Sequence, residues 1–152
     1  MTRWTTAALL AALALTGLTA CSDDDSPSAV ASKVASAASR AGDAVSSATA
    51  EAGQRFDDIR NGVDARDEVR LTAPTTASDG RTTAQVTVTN SADSARTFTV
   101  QVDFTRQDGK LLDVVVVTVS DVPAGGTGKA TAHSTHDLSG SVTAKVSRAV
   151  RY

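Results

Sequence analysis

The chain has 152 residues, with 15 Lys and Arg against 17 Asp and Glu, a net charge of −2, and 3% aromatic residues. This weakly acidic balance argues against a nucleic-acid-binding protein, which would need a basic face with interleaved aromatic side chains. The length suffices for one domain of modest size together with further segments.

The chain begins with the pattern of a secretory signal peptide. Arg3 makes the start basic, and an uninterrupted run of Ala, Leu, Thr and Gly extends from Ala7 to Leu18. At about 12 residues, this run suits the apolar region of a signal peptide and is too short to span a membrane as a helix. The small residues Thr19 and Ala20 then offer a cleavage site. A buried N-terminal helix is the alternative interpretation.

The only cysteine, Cys21, directly follows Leu18, Thr19 and Ala20. These four residues resemble the lipobox of bacterial lipoproteins. The resemblance implies that residues 1–20 are removed and that Cys21 becomes an N-terminus carrying two or more palmitate-type acyl chains, enough for stable membrane attachment. We therefore expect a lipid-anchored protein on the extracytoplasmic face of a cell membrane. With Cys21 acylated, no thiol is left for a disulfide.

Residues 21–28 are polar and acidic and are expected to form a solvated tether. The run Asp23-Asp24-Asp25 is not a calcium loop of the EF-hand type, because that loop interleaves its ligands and needs a glycine and a distal Glu. No metal site is predicted here.

Residues 29–62 are predicted to form one amphipathic helix, with Pro27 at its start and Asn61-Gly62 as its stop. Its apolar stripe repeats every eleven residues, so that Val34, Val45 and Phe56 are equivalent. Such a repeat corresponds to about 3.67 residues per turn and keeps the stripe nearly straight. The full stripe consists of Val30, Val34, Ala37, Ala41, Val45, Ala48, Ala52, Phe56, Ile59 and Val63.

Three roles are open for this helix: it could lie on a membrane surface, pack against a partner helix, or act as a solvated stalk. The stripe is mostly Ala and Val, and the opposite face is rich in Ser rather than Lys. Both features favour the stalk over a membrane-surface helix. Residues 63–68 are charged and are predicted to be a linker.

From residue 69 to residue 152 the apolar period becomes two, which is typical of half-buried strands. The predicted inward positions are Ala84, Val86, Val88, Phe98, Val100, Val102, Phe104, Val115, Val117, Val119, Val142, Ala144 and Val146. Asp108-Gly109 predicts a tight hairpin turn. The fold class is therefore mainly β: a small antiparallel immunoglobulin-like β-sandwich of six or seven strands, preceded by a long Ala/Ser-rich α-helix and a signal peptide.

Several of these segments, in this order, resemble the FxLYD-type immunoglobulin-like domain. They are residues 86–91, residues 98–104, Asp108-Gly109-Lys110 and residues 122–126. The whole arrangement is similar to uncharacterised actinobacterial lipoproteins of the Streptomyces type, in which an Ala/Ser-rich helix precedes such a domain. The resemblance implies a domain of secreted proteins and lipoproteins, and it carries no catalytic residues to transfer.

His133 and His136 are the only histidines, and Asp137 is the one neighbour that could complete a metal site. Two ligands rarely suffice, so a solvated loop pair is preferred. Ser134 beside His133 does not make a hydrolytic site, because neighbours in a strand point apart. We expect no enzyme, no cofactor and no small-molecule substrate.

The predicted function is a membrane-anchored binding or adhesion module of unknown ligand. An envelope protein or a cell-wall component would contact either the Thr-rich strands or the loops at 91–94 and 121–127. The alternative is a structural, envelope-associating spacer in which the repeat helix contacts the membrane or partner helices.

Overall fold

The computed structural model describes the backbone from Pro27 to Tyr152 and the side chains from Ser39 onward except Ala41. The signal peptide predicted at 1–20, the lipobox Leu18-Thr19-Ala20 with Cys21, and most of the tether lie outside the described residues. The elements are α1 (Pro27–Asp57), β1 (Val63–Asp64), a 3₁₀ turn (Arg66–Glu68), β2 (Val69–Leu71), β3 (Thr75–Thr76), β4 (Thr82–Thr89), β5 (Arg96–Arg106), β6 (Leu111–Val122), β7 (Thr127–His133) and β8 (Val142–Arg151). Within residues 27–152, no helix is long and apolar enough to cross a membrane.

The strands form two antiparallel sheets. In sheet A the order is β1-β8-β5-β6, and in sheet B the central strand is β4. Residues 86–88 of β4 pair with both β2 and β7, so those two strands flank β4 on opposite sides, and β3 continues the edge that β2 begins. The small, mainly β sandwich predicted from the period-two pattern is confirmed.

The core lies between the two sheets, where the predicted inward positions meet. The fully buried members are Val86, Val88, Phe98, Val100, Val102 and Phe104, and the inward residues of β6 and β8 pack against them. Because each large apolar side chain contributes about 1.5–3 kcal/mol on burial, this cluster supplies most of the stability of the sandwich. The alternation on β4 and β5 is confirmed.

The predicted hairpin between β5 and β6 is also confirmed. Gly109 has a φ of +84°, a conformation that suits glycine, and the N–H of Arg106 donates to the carbonyl of Lys110 at 2.8 Å. The carboxylate of Asp108 accepts a hydrogen bond from the N–H of Lys110 at 3.0 Å. Asp and Gly therefore fix this turn by different means.

The helix differs from the predicted free stalk in its last turns. It ends at Asp57 rather than at residue 62, and both Ala52 and Phe56 are only 3% exposed. The guanidinium of Arg148 in β8 lies 4.4 Å from the centre of the Phe56 ring. Phe56 is the largest side chain of the eleven-residue stripe, and burying its ring against sheet A is worth more than leaving it in water. The end of α1 is thus part of the folded domain.

The segment 63–68 was expected to be a linker, but its first two residues form strand β1 at the edge of sheet A. Val63 and Asp64 pair with Arg151 and Val150, and the N–H of the buried Ala65 donates to the carbonyl of Ala149 at 3.0 Å. A free strand edge exposes unpaired backbone groups, and β1 covers those at the end of β8. The linker prediction was wrong because a two-residue strand has no period to detect.

On the other face of β5, Thr99, Asp103 and Thr105 alternate with the core residues, and they too are buried. Asp103 accepts hydrogen bonds from the Gln101 amide at 2.9 Å and from the Ser147 hydroxyl at 2.7 Å. Such pairing is required because a buried carboxylate without partners is strongly destabilising.

Replacing Phe56 by Ala should lower the free energy of unfolding by about 3 kcal/mol, since it removes a buried ring and leaves a cavity against sheet A. Urea titration monitored by circular dichroism would measure the loss. Gln54→Ala is the matched control, because Gln54 is exposed on the same helix turn. Equal midpoints for the two variants would contradict docking of the helix end.

Candidate functional site

The sandwich has two ends of different character. The first, here called the Asn90 end, comprises the connections 58–62, 90–95 and 123–126 together with the chain end at Tyr152. The second, here called the hairpin end, comprises the turns at 77–81 and 107–110 and the loop 134–141. Both loops predicted as binding elements, 91–94 and 121–127, belong to the Asn90 end. The site is therefore built from this end.

Asn90 holds the two predicted loops together from within. Its side chain is fully buried, and its amide nitrogen donates to the carbonyls of Ser94 at 2.9 Å, Val122 at 2.9 Å and Pro123 at 3.2 Å. Its side-chain oxygen accepts from the N–H of Ala92 at 3.0 Å. One amide thus satisfies backbone groups from both loops, and its bond to the Val122 carbonyl is buried from water.

The backbone of Asn90 adds a second set of contacts to the same loop. Its N–H donates to the carbonyl of Gly126 and its carbonyl accepts from the N–H of Gly125, both at 2.9 Å. Gly125 has a φ of +67°, which turns the chain sharply between β6 and β7, and Asp121, with a φ of +53°, lies at an irregularity near the end of β6. Both loops are consequently fixed in one conformation before any partner arrives, and preorganisation of this kind reduces the entropy lost on binding.

A charged cluster anchors the next part of the Asn90 end. The carboxylate of Glu68, in the 3₁₀ turn, contacts the guanidinium of Arg151 and the hydroxyl of Ser91. Arg151 also donates to the Ser91 hydroxyl at 2.7 Å. The second carboxylate oxygen of Glu68 is buried without a partner in the described part of the chain, so the Glu68 charge depends on Arg151.

The surface above these anchors is apolar and cationic. Among the described side chains, Val63 and Tyr152 are the large hydrophobic residues that are exposed, at 53% and 42%. Tyr152 separates a cavity of about 160 Å³, which includes Val63 and Arg96, from a cleft of about 350 Å³, which includes Arg60. No ion-pair partner for Arg60 or Arg96 exists within residues 39–152.

Unlike Arg60 and Arg96, the nearby Arg66 is not free to bind an external group. The backbone N–H of Arg66 and then its guanidinium hydrogen-bond to the Asp64 carboxylate, and together they hold the pKa of Asp64 below its ordinary value. The same pairing raises the pKa of Arg66. Arg66 and Asp64 therefore neutralise each other at the surface, whereas Arg60 and Arg96 can bind an external group.

The Thr-rich surface predicted as the other binding element is the outer face of sheet B. Thr89, Thr127, Lys129 and Thr131 are exposed along β4 and β7, whereas Thr87 is half-buried. This face carries short polar side chains and no exposed aromatic residue among those described. Tyr, Trp and Arg dominate the energetics of protein interfaces, so the Asn90 end is the stronger candidate.

The residues considered for metal binding or hydrolysis lie at the hairpin end. No three His, Cys, Asp or Glu residues in the described part of the chain come together as metal ligands. His133 is exposed at the end of β7, and Asp137 forms an ion pair with Arg81 at 3.6 Å. Ser134 is 1% exposed, accepts from the N–H of Thr82, and donates to the carbonyl of His136. Its hydroxyl is therefore committed to the backbone.

Asp113, which the sequence did not single out, organises this end. Its buried carboxylate accepts hydrogen bonds from the N–H of Val114 at 2.8 Å and from both the N–H and the hydroxyl of Thr135 at 2.6 and 3.0 Å. Since the Thr135 hydroxyl donates to Asp113, it accepts from Nδ1 of His136 at 3.1 Å. No hydroxyl in the described residues contacts Nε2 of His136, so the cluster lacks a nucleophile–base pair.

The anchoring residues of the Asn90 end were mostly missed by the sequence analysis. Asn90 was included only within the segment 86–91, and Glu68, Arg151 and Tyr152 were not singled out. An Asn directly before a Ser-Ala-Asp-Ser turn is the signal that could have identified the first. The contact between Glu68 and Arg151 spans 83 residues and leaves no local pattern.

No protein-family model, curated protein or solved structure shows a significant match to the chain. The function is therefore inferred from the residues of the chain itself.

Replacing Asn90 by Ala should lower the free energy of unfolding by about 3 kcal/mol, because the buried Val122 carbonyl and the partly buried carbonyls of Ser94 and Pro123 lose their donor. In this variant, hydrogen exchange at the backbone amides of Ala92 and Gly125 should be faster than in the unaltered protein. Ser94→Ala is the control: its backbone carbonyl still accepts from Asn90, and its own side chain has no hydrogen bond with any described residue. Unchanged exchange in Asn90→Ala would refute the role assigned to the amide.

Proposed function

We propose that this chain is a lipid-anchored, extracytoplasmic protein whose β-sandwich is a non-catalytic binding module for a protein of the cell envelope. The cell membrane would be reached through acyl chains on Cys21, and the partner would be bound at the Asn90 end. The observation that carries the proposal is the direction in which α1 leaves the sandwich.

The helix runs parallel to β6 along sheet A. Gly42 and Val45 lie beside Leu111 and Leu112 at the hairpin end, whereas Arg55 lies beside Val116 and Thr118, towards the Asn90 end. Residues 27–41 precede these contacts and measure about 22 Å at 1.5 Å per residue. A membrane anchor at Cys21 would therefore attach beyond the hairpin end and leave the Asn90 end facing away from the membrane.

The chemistry of the Asn90 end supports a protein partner. Tyr152 offers an aromatic surface with a hydroxyl, Val63 adds an apolar contact, and Arg60 and Arg96 are unpaired in the described chain. Aromatic residues and arginine are enriched in the buried centres of protein interfaces. The rigid loops around Asn90 would present these groups without first having to order themselves.

A binding role rather than catalysis is supported by the state of the polar groups. Ser134 and Asp113 are buried and committed to backbone hydrogen bonds, and Asp103 is satisfied by Gln101 and Ser147. These groups hold loops and strands together. Membership of the FxLYD-type immunoglobulin-like domains, in an actinobacterial lipoprotein, is part of the same proposal and is supported by the sequence segments given above.

The alternative role is an envelope-associating spacer that acts through α1. Ala52 and Phe56 at the end of the stripe are already buried against sheet A. The part of the stripe before Ala52 would then remain to contact a membrane or a partner helix. The two roles differ in which end of the molecule touches the partner.

The anchor itself can be tested by mass spectrometry of the mature N-terminus and by membrane fractionation. We expect a diacylated or triacylated Cys21 in the membrane fraction and release of Cys21→Ser into the soluble fraction, because acyl chains supply the attachment. Soluble wild-type protein with an unmodified Cys21 would contradict the proposed location.

The binding surface can be tested by crosslinking in cells with the full chain. Tyr152→Ser combined with Arg96→Glu should abolish crosslinks to an envelope protein, because the variant loses an aromatic contact and reverses a free charge. The control is Lys129→Glu with Thr131→Ser on the outer face of sheet B, which should leave them intact. Crosslinks that survive the first variant, but are lost with Val34→Asp in α1, would favour the spacer.

A further inference from the structure

A second cavity lies at the hairpin end, between α1 and the sandwich. Its volume is about 290 Å³, and its apolar wall is formed by Val45, Leu111, Leu112 and Leu138. Leu138 is buried, whereas the other three are half-buried and expose apolar surface to the cavity. This cavity is separate from the proposed binding surface at the Asn90 end, since the two lie at opposite ends of β6.

The charged groups around this cavity are mainly cationic. Arg106 and Lys110, on either side of the hairpin turn, line it, and neither side chain has an ion-pair partner in the described chain. Of the nearby acids, Asp137 is paired with Arg81 at 3.6 Å, whereas Asp108 does not line the cavity and forms no ion pair with Arg106 or Lys110. One guanidinium group and one ammonium group are thus free to bind an anion.

The histidine beside the cavity does not alter this balance. His136 lines it, but its Nδ1 contacts the Thr135 hydroxyl and lies 3.9 Å from the buried Asp113 carboxylate. Nδ1 of the imidazole is therefore already occupied by groups of the protein. The free charges at the mouth remain those of Arg106 and Lys110.

The helix wall of the cavity is open at one position. A Cβ added to Gly42 would meet no atom within 4 Å. The cavity is about twice the size of an apolar cavity of about 150 Å³ that accommodates benzene, and it is near the lower limit for small-molecule sites. It is large enough for part of an acyl chain.

We propose that this cavity binds a single-chain anionic amphiphile, a medium-chain fatty acid, with its alkyl chain against the leucines and its carboxylate at Arg106 and Lys110. The apolar wall favours the alkyl chain by removing it from water. The two free cations select an anionic head group over a neutral or cationic one. The sequence contains no local pattern for this site, because the helix and the hairpin meet only in the fold.

The probe is laurate, titrated at low ionic strength into the soluble full-length Cys21→Ser protein and followed by isothermal titration calorimetry. We expect one saturable site below the micellar concentration of laurate. Gly42→Leu should weaken binding about tenfold or more, because the new side chain fills the cavity. Gly53→Leu is the matched control: it is on the same helix, a Cβ there also meets no atom within 4 Å, and it does not line this cavity.

A second comparison tests whether Arg106 and Lys110 bind the carboxylate of laurate. Arg106→Glu combined with Lys110→Glu should weaken laurate binding about fivefold or more, and dodecyltrimethylammonium should bind the unaltered protein more weakly than laurate does. The proposal is overturned if laurate shows no saturable binding, if Gly42→Leu binds it as well as Gly53→Leu, or if the cationic amphiphile binds equally well. These readouts do not depend on crosslinking at the Asn90 end, so either proposal can fail alone.

Discussion

The burial of Phe56 against sheet A is the contact on which the rest of the arrangement depends. It fixes the end of α1 over Arg148 and sets the helix parallel to β6. That direction decides which end of the sandwich the N-terminal part of the chain approaches. In this position Gly42 and Val45 of the helix form one wall of the cavity beside Leu112, and the described part of the helix leaves the Asn90 end uncovered. The proposed anchor, the proposed binding surface and the proposed fatty-acid site are thus all oriented by one buried aromatic ring.

Strand β6 forms one edge of sheet A, and the beginning of this edge is protected against pairing with another strand. Thr97 exchanges both backbone hydrogen bonds with Tyr152, so alternate residues of β5 face β8 and the intervening ones face β6. In β6, the N–H and C=O groups of Val114 and of every second residue after it therefore face away from β5, at the open edge of the sheet. The carboxylate of Asp113 accepts the N–H of Val114, which blocks the beginning of that edge. A buried acid therefore works as edge protection and as the anchor of Thr135.

The sandwich could be predicted because its strands are long and regular. Over β4 and β5 the alternation of apolar and polar residues specifies which face is buried, and all four predicted residues of β5 are in the core. The end of α1 was predicted as part of a stalk because an Ala-rich stripe gives no sign that its single Phe has a partner. The pairing of Val63–Asp64 with β8 joins residues about 90 positions apart in a strand too short to show a period. The site depends on such long-range contacts, which local patterns do not encode.

A single cysteine excludes an internal disulfide, so the loops need another means of fixation. The molecule uses buried polar side chains: Asn90 for the two loops at one end, Asp113 for the loop at the other, and Glu68 with Arg151 between the 3₁₀ turn and β8. A buried polar group is costly unless it is satisfied, and this makes each contact specific for one loop conformation. These specific contacts hold the loops rigidly. Rigid loops in turn leave Arg60, Arg96 and Tyr152 at fixed positions on the surface, which is the arrangement that a binding module needs.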